Sequence, residues 1–132
     1  MAHIPNDRKY TKDHEWVASL GKDTARVGIT DYAQRQLGDV VFVELPKKGD
    51  AFEITEPFGS IESVKSVSET YMPLTGTVAA VNESLNDEAE LVNSDPYDEG
   101  WMIEITFTKP AELDGLLTAA QYEAYIKAES AE

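Results

Sequence analysis

Lys65 is the only basic side chain between Gly49 and Thr108, a stretch of 60 residues that carries 13 carboxylates. It stands at the centre of Glu62-Ser63-Val64-Lys65-Ser66-Val67-Ser68-Glu69. Both arms of that segment alternate small polar and β-branched residues and end in acids, the pattern of a tight hairpin with the lysine at its tip. A primary amine held there can be acylated by an incoming enzyme, and the flanking carboxylates would steer a basic partner toward it. On composition alone, the same pattern also describes a solvated turn lysine, and both readings stand.

The other chemically capable groups are fewer. His14 and Glu15 form the outline of an acid–base pair, yet no nucleophile pattern accompanies them and adjacent strand residues point to opposite faces. A structural role is expected for both. Asp95, Asp98 and Glu99 resemble part of a cation-binding run, but the glycine and terminal glutamate of a calcium loop are missing. They read as a solvated acidic loop. Trp16, Trp101 and Phe107 read as core aromatics. The chain has no cysteine and only two histidines, His3 and His14, so neither a disulfide nor a thiolate or histidine-cluster metal site is available.

The elements that must position Lys65 are mostly short strands. Trp16 to Leu20 and Thr24 to Ile29 flank Gly21-Lys22-Asp23 and predict a hairpin. Thr30 or Asp31 can cap a short helix over 31–37 that Gly38 closes. The near-continuous apolar run Val40 to Leu45 predicts a strand covered on both faces at the centre of the core. Phe58 to Val64, Val67 to Tyr71 and Gly76 to Val81 read as further strands, with Gly76 serving the turn after the lysine hairpin. Asn93-Ser94-Asp95-Pro96 reads as a turn whose side chains bond their own backbone. Trp101, Ile103, Ile105 and Phe107 alternate with Met102, Glu104 and Thr106, the period of a strand with one buried face. Pro110 opens a helical segment with Leu113, Leu116 and Leu117 on one face. Thr118-Ala119-Ala120-Gln121 fits a capping box for a second short helix with Tyr122 and Tyr125 packed inward, fraying after Ala128.

With 132 residues and 42% hydrophobic side chains, the chain is expected to form one domain over 1–132, a core of about 9–108 and a helical segment of about 110–128. The formal charge of −14 disfavours nucleic acid and anionic membrane as partners and favours basic protein faces. No apolar run exceeds four residues, so neither a membrane span nor a signal-peptide core is expected.

Phe58-Gly59-Ser60-Ile61-Glu62-Ser63-Val64-Lys65 closely resembles the lipoylation signature of the glycine cleavage system H protein family. The likeness extends through His14-Glu15-Trp16-Val17, the stretch from Val27 to Gln34, the stretch from Leu37 to Pro46, Leu91 to Tyr97, and Gly100-Trp101. So many blocks in the family's order make the resemblance specific. It implies a mainly β fold of the lipoyl/biotinyl type, a flattened β-barrel or hybrid-motif sandwich, with a short helix near 31–37 and short C-terminal helices.

The resemblance further implies a carrier and no enzyme of its own, with lipoic acid in amide linkage on Lys65. Glu62, Ser63, Val64 and Gly76 are then the lipoylation-recognition residues, and Glu15, Gln36 and Glu69 line the groove that docks the arm. The implied partners are a pyridoxal-phosphate glycine decarboxylase that loads an aminomethyl group, a tetrahydrofolate-dependent aminomethyltransferase, dihydrolipoyl dehydrogenase, and a lipoate ligase or lipoyl/octanoyl transferase. A cytoplasmic monomer is expected, since the family blocks begin within fifteen residues of Met1 and leave no room for an ordinary transit peptide. The chain departs from the family at Gln36, where some relatives place a titratable histidine. It also has Ile54-Thr55-Glu56-Pro57 where glycine is common, which predicts a stiffer turn. Two alternatives are an H-like protein relaying octanoyl or lipoyl groups to other lipoyl enzymes, and an acidic β-module that carries nothing.

Overall fold

The computed structural model describes residues 3–130. Nine strands form two antiparallel sheets. The larger has the order β1-β2-β3-β9-β8-β5, built from β1 (Lys9–Tyr10), β2 (Glu15–Ser19), β3 (Thr24–Ile29), β5 (Ala51–Phe52), β8 (Gly76–Val81) and β9 (Ile103–Phe107). The smaller has the order β4-β6-β7, from β4 (Val40–Glu44), β6 (Pro57–Ser63) and β7 (Val67–Tyr71). One core fills the space between them, with Val27, Ile103, Ile105 and Val78 from the larger sheet meeting Val43, Phe58 and Ile61 from the smaller. This is the mainly β, two-sheet sandwich that the sequence predicts.

Local chemistry explains the helices. In α1 (Asp31–Leu37) the Thr30 side chain accepts from Ala33 N at 3.2 Å, and Gly38 ends the helix at φ +80°, a conformation that a side chain would oppose. The capping box at Thr118 forms in full. Thr118 N donates to Gln121 Oε1 at 2.9 Å, and Gln121 N donates to Thr118 Oγ1 at 3.2 Å. The helix it starts, α3 (Ala119–Ser130), continues past Ala128 where the sequence predicts fraying. Its inner face joins Tyr122 and Ile126 to Tyr10 and Trp16 in a second cluster, with the Tyr10 and Tyr122 rings stacked 4.8 Å apart.

Several expectations are corrected. β4 is an edge strand of the smaller sheet and not a central one, and with a bulge between Val40 and Phe42 both Val41 and Phe42 face solvent, 53% and 51% exposed. Of that run Val40 and Val43 are buried in the core, and Leu45 packs against it half-buried. Gly76 begins β8 and not a turn; a Cβ there would lie 2.4 Å from Thr106 O, so its role is close approach of β9. Trp101 is half-buried, with the Arg26 guanidinium 4.7 Å over its ring. Leu113 and Leu116 pack on the main core while Leu117 joins the second cluster, because the 3₁₀-helix over residues 110–115 ends before Leu116, where the chain turns extended and Leu117 pairs with Tyr10.

Asn93 also departs from its predicted turn. It sits in α2 (Leu91–Ser94), and its side chain bonds other elements instead of its own backbone. Oδ1 accepts from Val40 N at 2.8 Å, while Nδ2 donates to Gly38 O at 2.8 Å and to Gln34 Oε1 at 2.9 Å. The turn before β6 places Thr55 at φ +72°, in the left-handed region, fixed by its N–H donating to Met72 O at 2.8 Å.

Candidate functional site

β6 and β7 pair through Ile61↔Ser68 and Glu62↔Val67 and meet in the two-residue turn Val64-Lys65. Ser63 builds that turn. Its N–H donates to Ser66 O at 2.8 Å, and its Oγ accepts from Lys65 N at 3.2 Å and Ser66 N at 3.1 Å. Ser63 is 6% exposed, so these bonds are shielded from water. Val64 N donates to Asp39 O at 3.0 Å, which ties the tip to the segment Asn93 braces.

Lys65 is exposed, and among the described residues no ion pair forms at it. Its stem leans over Gly38. Lys65 Cε passes 3.3 Å from the point that a Cβ on Gly38 would occupy. Val64 at the tip is 68% exposed, and Glu62 is exposed on the face of the sheet away from the core.

Beside the hairpin lies a cleft of about 440 Å³. Residues 66–70 form one wall, Tyr32, Ala33, Gln36 and Leu37 of α1 another, and Asp13, His14 and Glu15 its floor and end. Glu15, Gln36 and Glu69 therefore share one cavity. Of the four residues named for lipoylation recognition, Glu62, Ser63 and Val64 gather at the hairpin, whereas Gly76 lies in the other sheet and lines a separate cleft.

The acids of the cleft are not equivalent. Glu15 is 1% exposed, with Oε1 accepting from Thr11 Oγ1 at 2.8 Å and Oε2 accepting from Tyr71 N at 3.0 Å. Burial raises its pKa to about 8, against the pull of those two hydrogen bonds. It is thus a neutral acid at pH 7 that clamps β2 to the free edge of β7. Glu69 is exposed at the mouth and accepts from Tyr71 OH at 3.4 Å.

His14 and Glu15 line the same cleft, contrary to the expectation that they face apart. His14 precedes the strand and sits at φ +71°, which cancels the alternation. Its Nδ1 shares a 2.9 Å hydrogen bond with Tyr122 OH, and Nε2 lies 3.4 Å from Glu129 Oε1. Burial lowers its pKa even though Glu129 and Asp13 act in the opposite direction. The sequence reading misses Glu129, a further cleft residue. Tyr122, Ile126 and Glu129 recur at helical spacing, and that spacing is the signal that finds them. Among the described residues no group of three His, Asp or Glu side chains could hold a metal ion, and no helix is long and apolar enough to cross a membrane.

Comparison with known proteins adds to this geometry. The family model described as glycine cleavage H-protein matches residues 8–129. The glycine cleavage system H protein of Geobacillus kaustophilus is 57% identical over 124 residues, covering 94% of this chain and 97% of the relative. That of Herpetosiphon aurantiacus is 54% identical, covering 98% of each. A crystal structure of a glycine cleavage system H protein from Mycobacterium marinum superposes with a TM-score of 0.83 at 39% identity, over 92% of this chain and 97% of that one.

Proposed function

The chain belongs to the glycine cleavage H-protein family, and from that premise we propose that Lys65 is the residue through which it carries its cargo. The family's role is that of lipoyl carrier in the glycine cleavage system, and this chain is a carrier component of that system. In this reading lipoic acid is joined to Lys65 Nζ as an amide. The observation that carries it is an exposed, unpaired amine on a two-residue turn, with a cleft that begins at the next residue.

The residues present fit such a group. Gly38 leaves room for the lysine stem, and Ile29, Leu37, Ile61 and Val67 give the cleft an apolar lining for a hydrocarbon arm. When bound, the lipoyl group supplies a disulfide that takes up an aminomethyl group and two electrons. The protein's own part is to hold, shield and release. Ser63 and the bond from Val64 N to Asp39 O fix where the arm begins. The apolar wall excludes water, Gln36 offers a neutral amide, and Glu69 places a charge at the mouth for a cationic terminus. Glu15, uncharged at neutral pH, is a brace between sheets.

The reading makes the chain a non-enzyme with no catalytic residue, working as a monomer in the cytoplasm. Its finer partners are a pyridoxal-phosphate glycine decarboxylase, a tetrahydrofolate-dependent aminomethyltransferase, dihydrolipoyl dehydrogenase and a lipoylating ligase or transferase. Residues 9–108 and 110–128 act as one unit, supported by Leu113 and Leu116 packing on the main core. Reconstitution tests the proposal: with the three partner enzymes, acylated protein supports glycine-dependent NADH formation and Lys65→Arg supports none. Turnover with Lys65→Arg, or with unmodified wild type, would overturn it.

A further inference from the structure

Two adjacent apolar side chains on an exposed edge strand, Val41 and Phe42, are an aggregation liability that edge strands ordinarily avoid. Their position is informative. Phe42 pairs with Glu62, and Glu62 pairs with Val67, so all three share the outer face of the smaller sheet in one row. The next row is Glu44, Ser60 and Glu69, with Ser60 Oγ donating to Glu44 Oε1 at 3.2 Å. Val67 is 66% exposed and Val64 68%. The face next to the modified lysine thus alternates exposed apolar groups with carboxylates.

We propose that this face, Phe42, Val41, Val64 and Val67 interleaved with Glu44, Glu62 and Glu69, is the docking surface for the enzyme that acylates Lys65, an acyl-adenylate-using enzyme with an apolar seat inside a basic rim. The proposal rests on Lys65 being the acylated residue and adds what recognises it.

Three observations select that occupant. The Lys65 stem leans over Gly38, two residues before β4 begins at Val40, and Val64 N donates to Asp39 O, so the lysine tip is tied to the chain that enters the strand carrying Val41 and Phe42. The Phe42 row lies two strand residues from the turn, about 7 Å at the rise of a β-strand, which is within the footprint of an enzyme whose active site closes on Nζ. Enzymes that act on the far end of an acylated arm are held off by its length, roughly 14 Å at the per-bond reach of an extended chain, and need not contact this row. Charge agrees at the hairpin, where no basic residue besides Lys65 lies between Gly49 and Thr108, while Lys47 and Lys48 lie beyond the far end of β4 in a cleft that Phe42 and Glu44 also line.

In the step itself the neutral Nζ attacks the carbonyl carbon of an acyl adenylate. A C–N bond forms, the bond from the acyl carbon to the phosphate oxygen breaks, AMP leaves, and the amine loses one proton to solvent. The docking residues take no part in that exchange. They set the encounter.

The test follows acylation by intact mass, with a purified lipoate ligase, lipoate and ATP, across protein concentration. Phe42→Ser and Val41→Ser each lower kcat/KM at least tenfold, mainly through KM, and raising the salt lowers the wild-type value. Leu20→Ser, an equally exposed apolar truncation on another hairpin, stays within twofold of wild type. Urea midpoints check that all three fold. Variants driven to full acylation with excess ligase then support glycine-dependent NADH formation within twofold of wild type. The inference is overturned if the Phe42 and Val41 variants are acylated like Leu20→Ser. It also falls if their only defect is loss of a wild-type dimer in sedimentation, which would assign the face to a second copy of the chain. A wild type that takes up no acyl group at all defeats the Lys65 reading instead.

Discussion

Replacing Glu15 by Gln should remove most of a pH dependence of stability that this one side chain creates. Glu15 is 1% exposed, and its pKa rises from 4.5 to about 8 on folding, because burial penalises the carboxylate more than its two hydrogen bonds favour it. The folded state therefore binds the proton more tightly than the unfolded state. The stabilisation is complete below pH 4.5 and is lost progressively as pH rises toward 8. Linkage at 1.36 kcal/mol per unit makes the loss between pH 5 and pH 8 about 3 kcal/mol. Gln has the same shape and does not titrate; its carbonyl can accept from Tyr71 N, and because Thr11 Oγ1 already accepts from Asp13 N and Glu15 N, any cost of placing the amide beside it is the same at every pH. Urea unfolding of both proteins at pH 5, 6, 7 and 8 measures the difference. The Glu15→Gln variant should gain about 3 kcal/mol on wild type between pH 5 and pH 8. Parallel profiles, or a wild type that gains on the variant as pH rises, would refute the burial argument and return a charged Glu15 to the cleft.

Three further outcomes follow from single contacts. Gly38→Ala forces a Cβ into a left-handed position at φ +80° and to 3.3 Å from Lys65 Cε, so it should cost about 1–3 kcal/mol in urea unfolding and slow acylation of Lys65. Asn93→Asp removes both donors to Gly38 O and Gln34 Oε1, and a loss of about 2 kcal/mol is expected, with faster amide exchange at Val64. Thr118→Ala breaks one half of the capping box and should cost about 1 kcal/mol, read as loss of protection in the first turn of α3.

The sequence made the Lys65 hairpin legible because its signals are local: alternation of small and β-branched residues, a two-residue turn and a run of acids. Both helix starts, at Thr30 and Thr118, were legible for the same reason. β4 was not. Four apolar residues in a row read as a strand buried on both sides, and nothing in the run announces the bulge or the outward-facing Val41 and Phe42. Asn93 shows the same limit, because its partners Gly38 and Val40 lie more than fifty residues away and only the tertiary fold brings them together. At the cleft, the residue types of Glu15, Gln36 and Glu69 were readable, but not that burial would leave Glu15 uncharged, nor that the end of α3 would add Glu129.

The central claim is that the Lys65 amine is the point of lipoyl attachment, and intact mass after growth with lipoate measures it directly. Wild-type protein should gain the mass of a single lipoyl amide, mapped by peptide fragmentation to Lys65, while Lys65→Arg gains nothing. A wild type of unmodified mass, or an increment that persists in Lys65→Arg, would contradict the account.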